Sequence, residues 1–230
     1  MQKKPRKLHG GDIYRHPEVI DFSVNTNPLG AQESVKRAVQ ESVAKIEHYP
    51  DVRCEALREA ISGFEQVNME EILCGNGAAE LFFAAVQAVR PQKALVTAPS
   101  FSEYEEALRS VGAEVEYYYL CEEDNFQIRE DYVDKLSEEI DMIFLCNPNN
   151  PTGQIIDRDM LIKILDRCKK QNIIVILDEC FLEFLDEPNR YEMSDLREEY
   201  PNLLIIKAFT KIFSMPGLRL GYAISSNQDT

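Results

Sequence analysis

The sequence predicts an α/β fold, a three-layer α/β/α sandwich built on a mostly parallel sheet of seven strands. Short apolar runs alternate with longer segments of helical periodicity, the order expected of strands joined by crossover helices. Several runs are apolar without a break, as strands are when helices cover both faces of a sheet. The predicted strands are Ile72–Cys74, Ala94–Thr97, Val115–Leu120, Met142–Cys146, Ile173–Leu177, Leu203–Ile206 and Leu220–Ile224.

Helical periodicity accounts for the longer segments. Ala78–Val89 is strongly apolar, which predicts a helix packed on the sheet. Arg158–Lys170 is amphipathic, because its apolar residues recur at the spacing of one helix face. Three further helices are predicted at residues 34–47, 54–64 and 103–111.

Composition argues against several classes of protein. The 230 residues carry a net charge of −15, whereas nucleic-acid binding needs a concentrated basic surface. No apolar run approaches the length of a membrane span, and we expect a cytoplasmic protein. The six cysteines contain no Cys-x-x-Cys pair and the three histidines lie far apart, so we expect neither a disulfide framework nor a metal site. Cys180 is expected to pack in the core, with a reactive thiol as the alternative.

Three segments whose side chains could take part in catalysis or binding each follow a predicted strand. They are Asn147–Gly153, Asp178 with its neighbours, and Lys211, which is followed eight residues later by Arg219. The carboxyl ends of parallel strands meet at one edge of the sheet, where open α/β sheets bind their ligands. We therefore expect these segments to form one site.

Lys211 and Asp178 have the most specific predicted roles. A lysine at this edge is costly to desolvate, and its common role there is a Schiff base with a carbonyl cofactor. A buried carboxylate needs a cationic partner, for which a protonated pyridine nitrogen qualifies. Capping of the next helix is the alternative for Asp178.

Other residues suggest how a phosphorylated aromatic ligand is held. The small residues of Gly75–Glu80 join a strand to a helix, which suits either an anion site at the helix N-terminus or a tight turn that needs glycine. The amide of Asn150 can donate to a phenolate oxygen. Phe101 can stack on an aromatic ring, or belong to the core.

Together these segments resemble the fold-type I pyridoxal-phosphate enzymes of the aminotransferase class I/II family, in the branch that contains threonine-phosphate decarboxylase and histidinol-phosphate aminotransferase. The resemblance implies pyridoxal 5′-phosphate as cofactor, Lys211 as its Schiff-base lysine and Asp178 as the pyridinium partner. It implies further cofactor contacts from the stacking Phe101, from Asn150, from the phosphate ligands Ala78, Ala79, Thr210 and Arg219, and from Tyr49, which would reach the phosphate of the neighbouring subunit.

Two departures from the family pattern bear on function. Phe181 stands where related aminotransferases usually carry tyrosine, and Ala208 where the family often has a hydroxyl residue. Phe181 favours the decarboxylase branch, as do the segments at residues 9–12, 21–30 and 101–104. The resemblance thus implies decarboxylation of O-phospho-L-threonine to aminopropanol phosphate in cobalamin biosynthesis. His9, Asn27 and Asn150 are its expected substrate contacts, with a tail residue as the alternative for His9.

The resemblance also implies a domain organisation. Residues 1–35 would form an N-terminal arm belonging to a small domain, and residues 36–230 the cofactor-binding large domain. We expect the C-terminal small domain to be missing, because the sequence stops just after an apolar strand. A homodimer with active sites between subunits is expected. The alternatives are a histidinol-phosphate or other class I/II aminotransferase, and a catalytically inactive aminotransferase-like regulatory domain.

Overall fold

Seven strands form one sheet in the computed structural model, which describes residues 10–227. The strands are β1 Ile72–Gly75, β2 Lys93–Ala98, β3 Glu114–Tyr119, β4 Met142–Cys146, β5 Ile174–Asp178, β6 Leu203–Ala208 and β7 Gly221–Ile224. Their order across the sheet is β1-β7-β6-β5-β4-β2-β3. β7 runs antiparallel to both of its neighbours and the remaining pairs are parallel, so the predicted mostly parallel seven-stranded sheet is confirmed.

The helices agree with the predicted ones and add two short ones. They are α1 Glu33–Ser42, α2 Glu55–Glu65, α3 Ala78–Val89, α4 Ser102–Ser110, α5 Asp131–Asp134, α6 Arg158–Gln171 and α7 Phe209–Ile212. The first predicted helix is shorter than expected and continues as a 3-10 turn at Val43–Lys45. α5 and α7 were not predicted, because four residues are too few to show a helical period.

Two hydrophobic cores flank the sheet, one on each face. Phe144 and Ile176 point to the face covered by α3 and α4. Ile143 and Val175 point to the opposite face, where Ile164 of α6 packs against them. Every residue of β4 is buried, as its continuous apolar run predicted. Burial of apolar surface on both faces therefore stabilises the central strands most.

The direction of each strand decides what reaches the sheet edge. β5 ends at Asp178, and β6 leads into α7, which carries Lys211. β1 runs parallel to β6, because both are antiparallel to β7, and it leads into α3 at the same edge. The antiparallel β7 begins at this edge, so the residue that precedes it by two, Arg219, also lies there.

The predicted boundary between residues 35 and 36 falls inside α1. Assignment of residues 1–35 to a small domain stays a prediction. Among residues 10–227, the structure has no helix that is both long and apolar enough to cross a membrane.

Candidate active site

One pocket at the carboxyl edge of the sheet brings the separate motifs together. Eight residues predicted to contact the cofactor line it: Ala78, Ala79, Phe101, Asn150, Asp178, Thr210, Lys211 and Arg219. The other lining residues are Phe82, Cys180, Phe181 and Ala208. Residues more than 130 positions apart in the sequence thus share one cavity.

The start of α3 and the Arg219 guanidinium form a cradle with the properties of an anion site. Gly77, with φ at +84°, precedes the helix, and no side chain caps the first-turn N–H groups. A Cβ at Gly77 would lie 2.6 Å from Arg219 Nη2, so the guanidinium approaches only because this residue is glycine. A Cβ at Gly221 would likewise lie 2.9 Å from the Ala78 nitrogen. Free N–H groups, a helix dipole and a guanidinium all favour a phosphate here.

Asp178 is buried, and hydrogen-bond donors from Tyr104 and Cys180 hold it. Tyr104 Oη donates to Asp178 Oδ2 at 2.5 Å, and the Cys180 N–H donates to Oδ1 at 2.9 Å. Burial raises the pKa of Asp178, while these hydrogen bonds and the charge of Lys211 oppose that rise. The helix-capping alternative is wrong, because the next helical turn, Leu182–Phe184, has Phe181 at its N-cap position. The contact with Tyr104 was not predicted.

Lys211 lies on the short helix α7 and faces an aromatic side chain. Its Nζ is 5.5 Å from the centroid of the Phe181 ring, within cation–π range. Phe181 lines the pocket without offering a hydroxyl. The lysine therefore lies beside an apolar side chain. At the position of Phe181, related aminotransferases usually carry a tyrosine, whose hydroxyl would be a hydrogen-bond donor.

Asn27 anchors the turn that carries Lys211. Its backbone N–H donates to the Lys211 carbonyl at 2.9 Å, and its side-chain amide donates to the Ile212 carbonyl at 2.9 Å. Asn27 Oδ1 accepts from the Leu29 N–H. The structure thus engages the Asn27 side chain with backbone, whereas the sequence suggested a substrate contact.

The Asn147–Gly153 segment is shaped by buried amides. Asn147 bonds through both its nitrogen and its oxygen to the backbone of Ile156. Asn149 donates to Thr152 Oγ1 at 2.9 Å and to the Pro99 carbonyl at 3.1 Å. These contacts direct Asn150 into the pocket, where Asn25 Nδ2 lies 3.4 Å from Asn150 Oδ1.

Among the described residues, two predicted site residues, Asn27 and Tyr49, do not line this pocket. Tyr49 is 99% exposed, and it was predicted to act in the neighbouring subunit. His9 lies outside the described residues.

The chain is similar to several enzymes with known names. The model of the family "Aminotransferase class I and II" matches residues 17–229. The chain belongs to the class I and II aminotransferase family. Threonine-phosphate decarboxylase from Salmonella typhimurium is 38% identical over 227 residues, which are 95% of this chain and 62% of that protein.

Two further relatives broaden the comparison. The adenosylcobalamin biosynthesis bifunctional protein CobDQ from Leptospira interrogans is 32% identical over 95% of the chain, which covers 26% of that protein. The crystal structure of histidinol-phosphate aminotransferase from Clostridium acetobutylicum aligns with a TM-score of 0.83 at 32% identity, over 92% of this chain and 62% of that one. This chain spans less than two thirds of the length of each relative.

The cofactor of this family is pyridoxal 5′-phosphate, and the donor set of the pocket fits it. The glycine-lined cradle beside Arg219 suits its phosphate. A buried carboxylate suits its ring nitrogen, and a lysine amine suits its aldehyde. The pocket therefore offers one group for each polar part of the cofactor.

Sequence reasoning missed a buried ionic cluster around Lys207, on the face of the sheet that is not covered by α3 and α4. Lys207 Nζ lies 2.8 Å from Glu65 Oε2, 2.6 Å from Glu192 Oε1 and 3.8 Å from Glu179 Oε2. The Tyr222 hydroxyl donates to Glu65. Three carboxyl groups thus surround one ammonium, and burial raises the pKa of Glu179 to about 8. The sequence contained one signal of this cluster, which is the position of Lys207 at the end of the apolar run that forms β6.

All six cysteines are free thiols in the structure. Cys180 is buried beside Asp178, and burial raises the pKa of its thiol well above the ordinary value. A thiol with a raised pKa is a poor nucleophile, which agrees with a packing role. Across residues 10–227, no group of three or more His, Cys, Asp or Glu side chains is arranged to hold a metal ion.

Proposed function

We propose that the protein decarboxylates O-phospho-L-threonine to aminopropanol phosphate with pyridoxal 5′-phosphate, a step of cobalamin biosynthesis. The observation that carries this proposal is the 38% identity to threonine-phosphate decarboxylase over 95% of the chain. Phe181 in the pocket wall supports it, because the wall lacks the hydroxyl expected of an aminotransferase at that position.

In this proposal the pocket residues divide the binding of the cofactor among them. Arg219, Thr210 and the N–H groups of Ala78 and Ala79 bind the cofactor phosphate. Asp178 pairs with the ring nitrogen, Asn150 donates to the phenolic oxygen, and Phe101 packs on the ring. Lys211 would hold the cofactor aldehyde, and its Nζ would carry a proton for the reaction.

The reaction exchanges one bond for another at Cα of the substrate. When bound, the cofactor withdraws electrons from Cα, which makes loss of the carboxylate feasible. The carboxylate leaves as carbon dioxide, its bonding electrons stay at Cα, and a proton takes its place. Lys211 Nζ is the proposed source of that proton. Asp178 stays ionised throughout and balances the positive ring nitrogen.

Substrate and subunit contacts complete the proposal. Asn150 is proposed to serve the substrate as well as the cofactor, and His9 to bind the substrate phosphate. Asn27 is proposed to contact the substrate as well; its hydrogen bonds to the Lys211 turn, close to the pocket, support this. Tyr49 is proposed to reach the cofactor phosphate of a second subunit in a cytoplasmic homodimer; its 99% exposure leaves it available for that contact.

Histidinol-phosphate aminotransferase activity is the second candidate, favoured by the TM-score of 0.83 to the Clostridium acetobutylicum enzyme. One experiment separates the two functions. The full-length protein, loaded with cofactor, is given O-phospho-L-threonine or histidinol phosphate with 2-oxoglutarate. We expect carbon dioxide from the first substrate and no glutamate from the second. Glutamate without carbon dioxide would overturn the proposal, and bound cofactor without either product would favour a catalytically inactive regulatory domain.

A further inference from the structure

The hydrogen-bond donors to Asp178 come from two different parts of the chain. The Cys180 N–H is only two residues away, so the local turn supplies it. Tyr104 lies 74 residues earlier, on α4, and its hydroxyl donates to Asp178 Oδ2 at 2.5 Å. The Tyr104 contact is therefore the tertiary interaction that fixes one oxygen of this carboxylate.

Three aromatic rings hold Tyr104 in place. Its ring stacks on Phe144 with centroids 4.9 Å apart, and meets the rings of Phe82 and Phe101 edge-on at 5.0 and 5.7 Å. Its side chain is fully buried and is not among the pocket-lining residues. Such packing leaves the ring little freedom to rotate, so the hydroxyl is directed at Asp178 from behind the pocket.

We propose that Tyr104 is a positioning residue, which keeps the Asp178 carboxylate ionised and oriented toward the ring nitrogen of the cofactor. The physical reason is the balance at a buried carboxylate. Burial favours the neutral acid, whereas a donated hydrogen bond favours the anion. The other titratable groups near Asp178 are the buried thiols of Cys146 and Cys180, and Lys211. The Cys180 thiol is a local hydrogen-bond partner that also favours the anion, and Lys211 supplies a positive charge.

Loss of the Tyr104 hydroxyl has two expected consequences. Asp178 takes up a proton more readily, and its pairing with a protonated ring nitrogen weakens. The cofactor then binds less tightly and withdraws electrons less strongly. This inference rests on the cofactor and not on the substrate proposed above, so an error about the substrate leaves it intact.

The test is Tyr104→Phe, which removes one oxygen atom and keeps the ring. Cofactor affinity is measured by equilibrium dialysis. The titration of Asp178 is followed in the cofactor-free protein by NMR of carboxyl-labelled aspartate. We expect affinity to fall about tenfold, the effect of losing a hydrogen bond to a charged group, and the pKa of Asp178 to rise.

A matched control is Tyr118→Phe. Tyr118 Oη also donates to a carboxylate, Asp131 Oδ1 at 2.6 Å, but lies on β3, away from the pocket. We expect this variant to bind cofactor with unchanged affinity. Equal losses of cofactor affinity in both variants would show a general effect on stability and would overturn the proposal. Unchanged cofactor affinity and an unchanged Asp178 titration in Tyr104→Phe would overturn it too.

A second substitution covers the case in which Tyr104→Phe does not fold. Site-specific 3-fluorotyrosine at position 104 keeps the size and the hydroxyl but makes that hydroxyl a stronger donor. The pKa of Asp178 should then fall. An unchanged Asp178 titration would contradict a role for Tyr104 in keeping this carboxylate ionised.

Discussion

The segment of residues 10–52 and the sheet domain that follows it are held in place by different forces. None of residues 10–52 is buried, and large apolar side chains such as Phe22, Leu29 and Tyr49 are about nine-tenths exposed or more. The sheet domain carries both hydrophobic cores. The segment nevertheless reaches the active site, because Asn27 bonds to the turn that carries Lys211. Polar contacts of Asn27 with the Lys211 turn and of Asn25 with Asn150, not a core of its own, thus join this segment to the rest of the chain.

The largest expected effect concerns the turn at which the two regions meet. Lys211→Ala should lower turnover by about a thousandfold or more, as loss of a covalent catalytic group does in other enzymes. Borohydride should fix cofactor covalently on Lys211 in the parent protein and fix none on the variant, as checked by mass spectrometry of peptides. Because Lys211 is only half-buried, the melting temperature should change little. Cofactor fixed at another lysine would contradict the assignment.

A pair of phenylalanine substitutions tests the energetic difference directly. Phe144→Ala, in the core, should lower the free energy of unfolding by about 3–5 kcal/mol, because a cavity replaces a ring with no exposed surface. Phe22→Ala, where the ring is 89% exposed, should change it by less than about 0.5 kcal/mol. Urea titrations of both variants measure this. A large loss in Phe22→Ala would show that residues 10–52 are packed more tightly than the structure describes.

The buried cluster around Lys207 gives the sheet domain a predicted pH dependence. Burial raises the pKa of Glu179 in the folded chain to about 8, from an ordinary value of about 4.5 that applies to the unfolded chain. Between these pH values Glu179 loses its proton only in the unfolded state. Its contribution to the free energy of unfolding therefore falls as pH rises from about 4.5 to about 8 and is constant at higher pH. Glu179→Gln should remove this fall, which amounts to a few kcal/mol at about 1.4 kcal/mol per pKa unit.

Urea titrations between pH 5 and pH 9 compare Glu179→Gln with the parent protein. Glu198→Gln is the control, because the Glu198 side chain is 75% exposed. The stability of the control should follow the parent at every pH. Parallel curves for Glu179→Gln and the parent would mean that Glu179 is ionised in the folded protein.

The smallest expected effect tests the polar contact between the regions. Asn27→Ala removes the hydrogen bond to the Ile212 carbonyl, worth about 1 kcal/mol, and should weaken cofactor binding several-fold. Asn189→Ala, at an exposed position in a 3-10 turn, is the control and should bind normally. Equilibrium dialysis measures both. Normal cofactor binding by Asn27→Ala would show that the Lys211 turn keeps its geometry without this segment.

Much of the fold and of the pocket could be predicted from the sequence, because their signals are local. Continuous apolar runs marked β4, β5 and β6. Asp178, directly after one such run, and Lys211, a few residues after another, were assigned to the carboxyl edge of the sheet. Gly75–Glu80 marked the start of α3 in the same way. These features depend on residues within one strand or one turn, where spacing alone carries the information.

Only the tertiary structure decided which distant side chains meet. Tyr104 and Asp178 are 74 residues apart, and Lys207 and Glu65 are 142 apart, so no periodicity links the members of either pair. The direction of β7 places Arg219 at the pocket, and that direction follows from its pairing with β1 and β6. The sequence did not show that Asn27 hydrogen-bonds to the Lys211 turn, because that contact forms only when the chain folds back on itself. The physical reason is common to all of these cases: a buried polar group must find a partner, and which partner it finds depends on how the whole sheet is assembled.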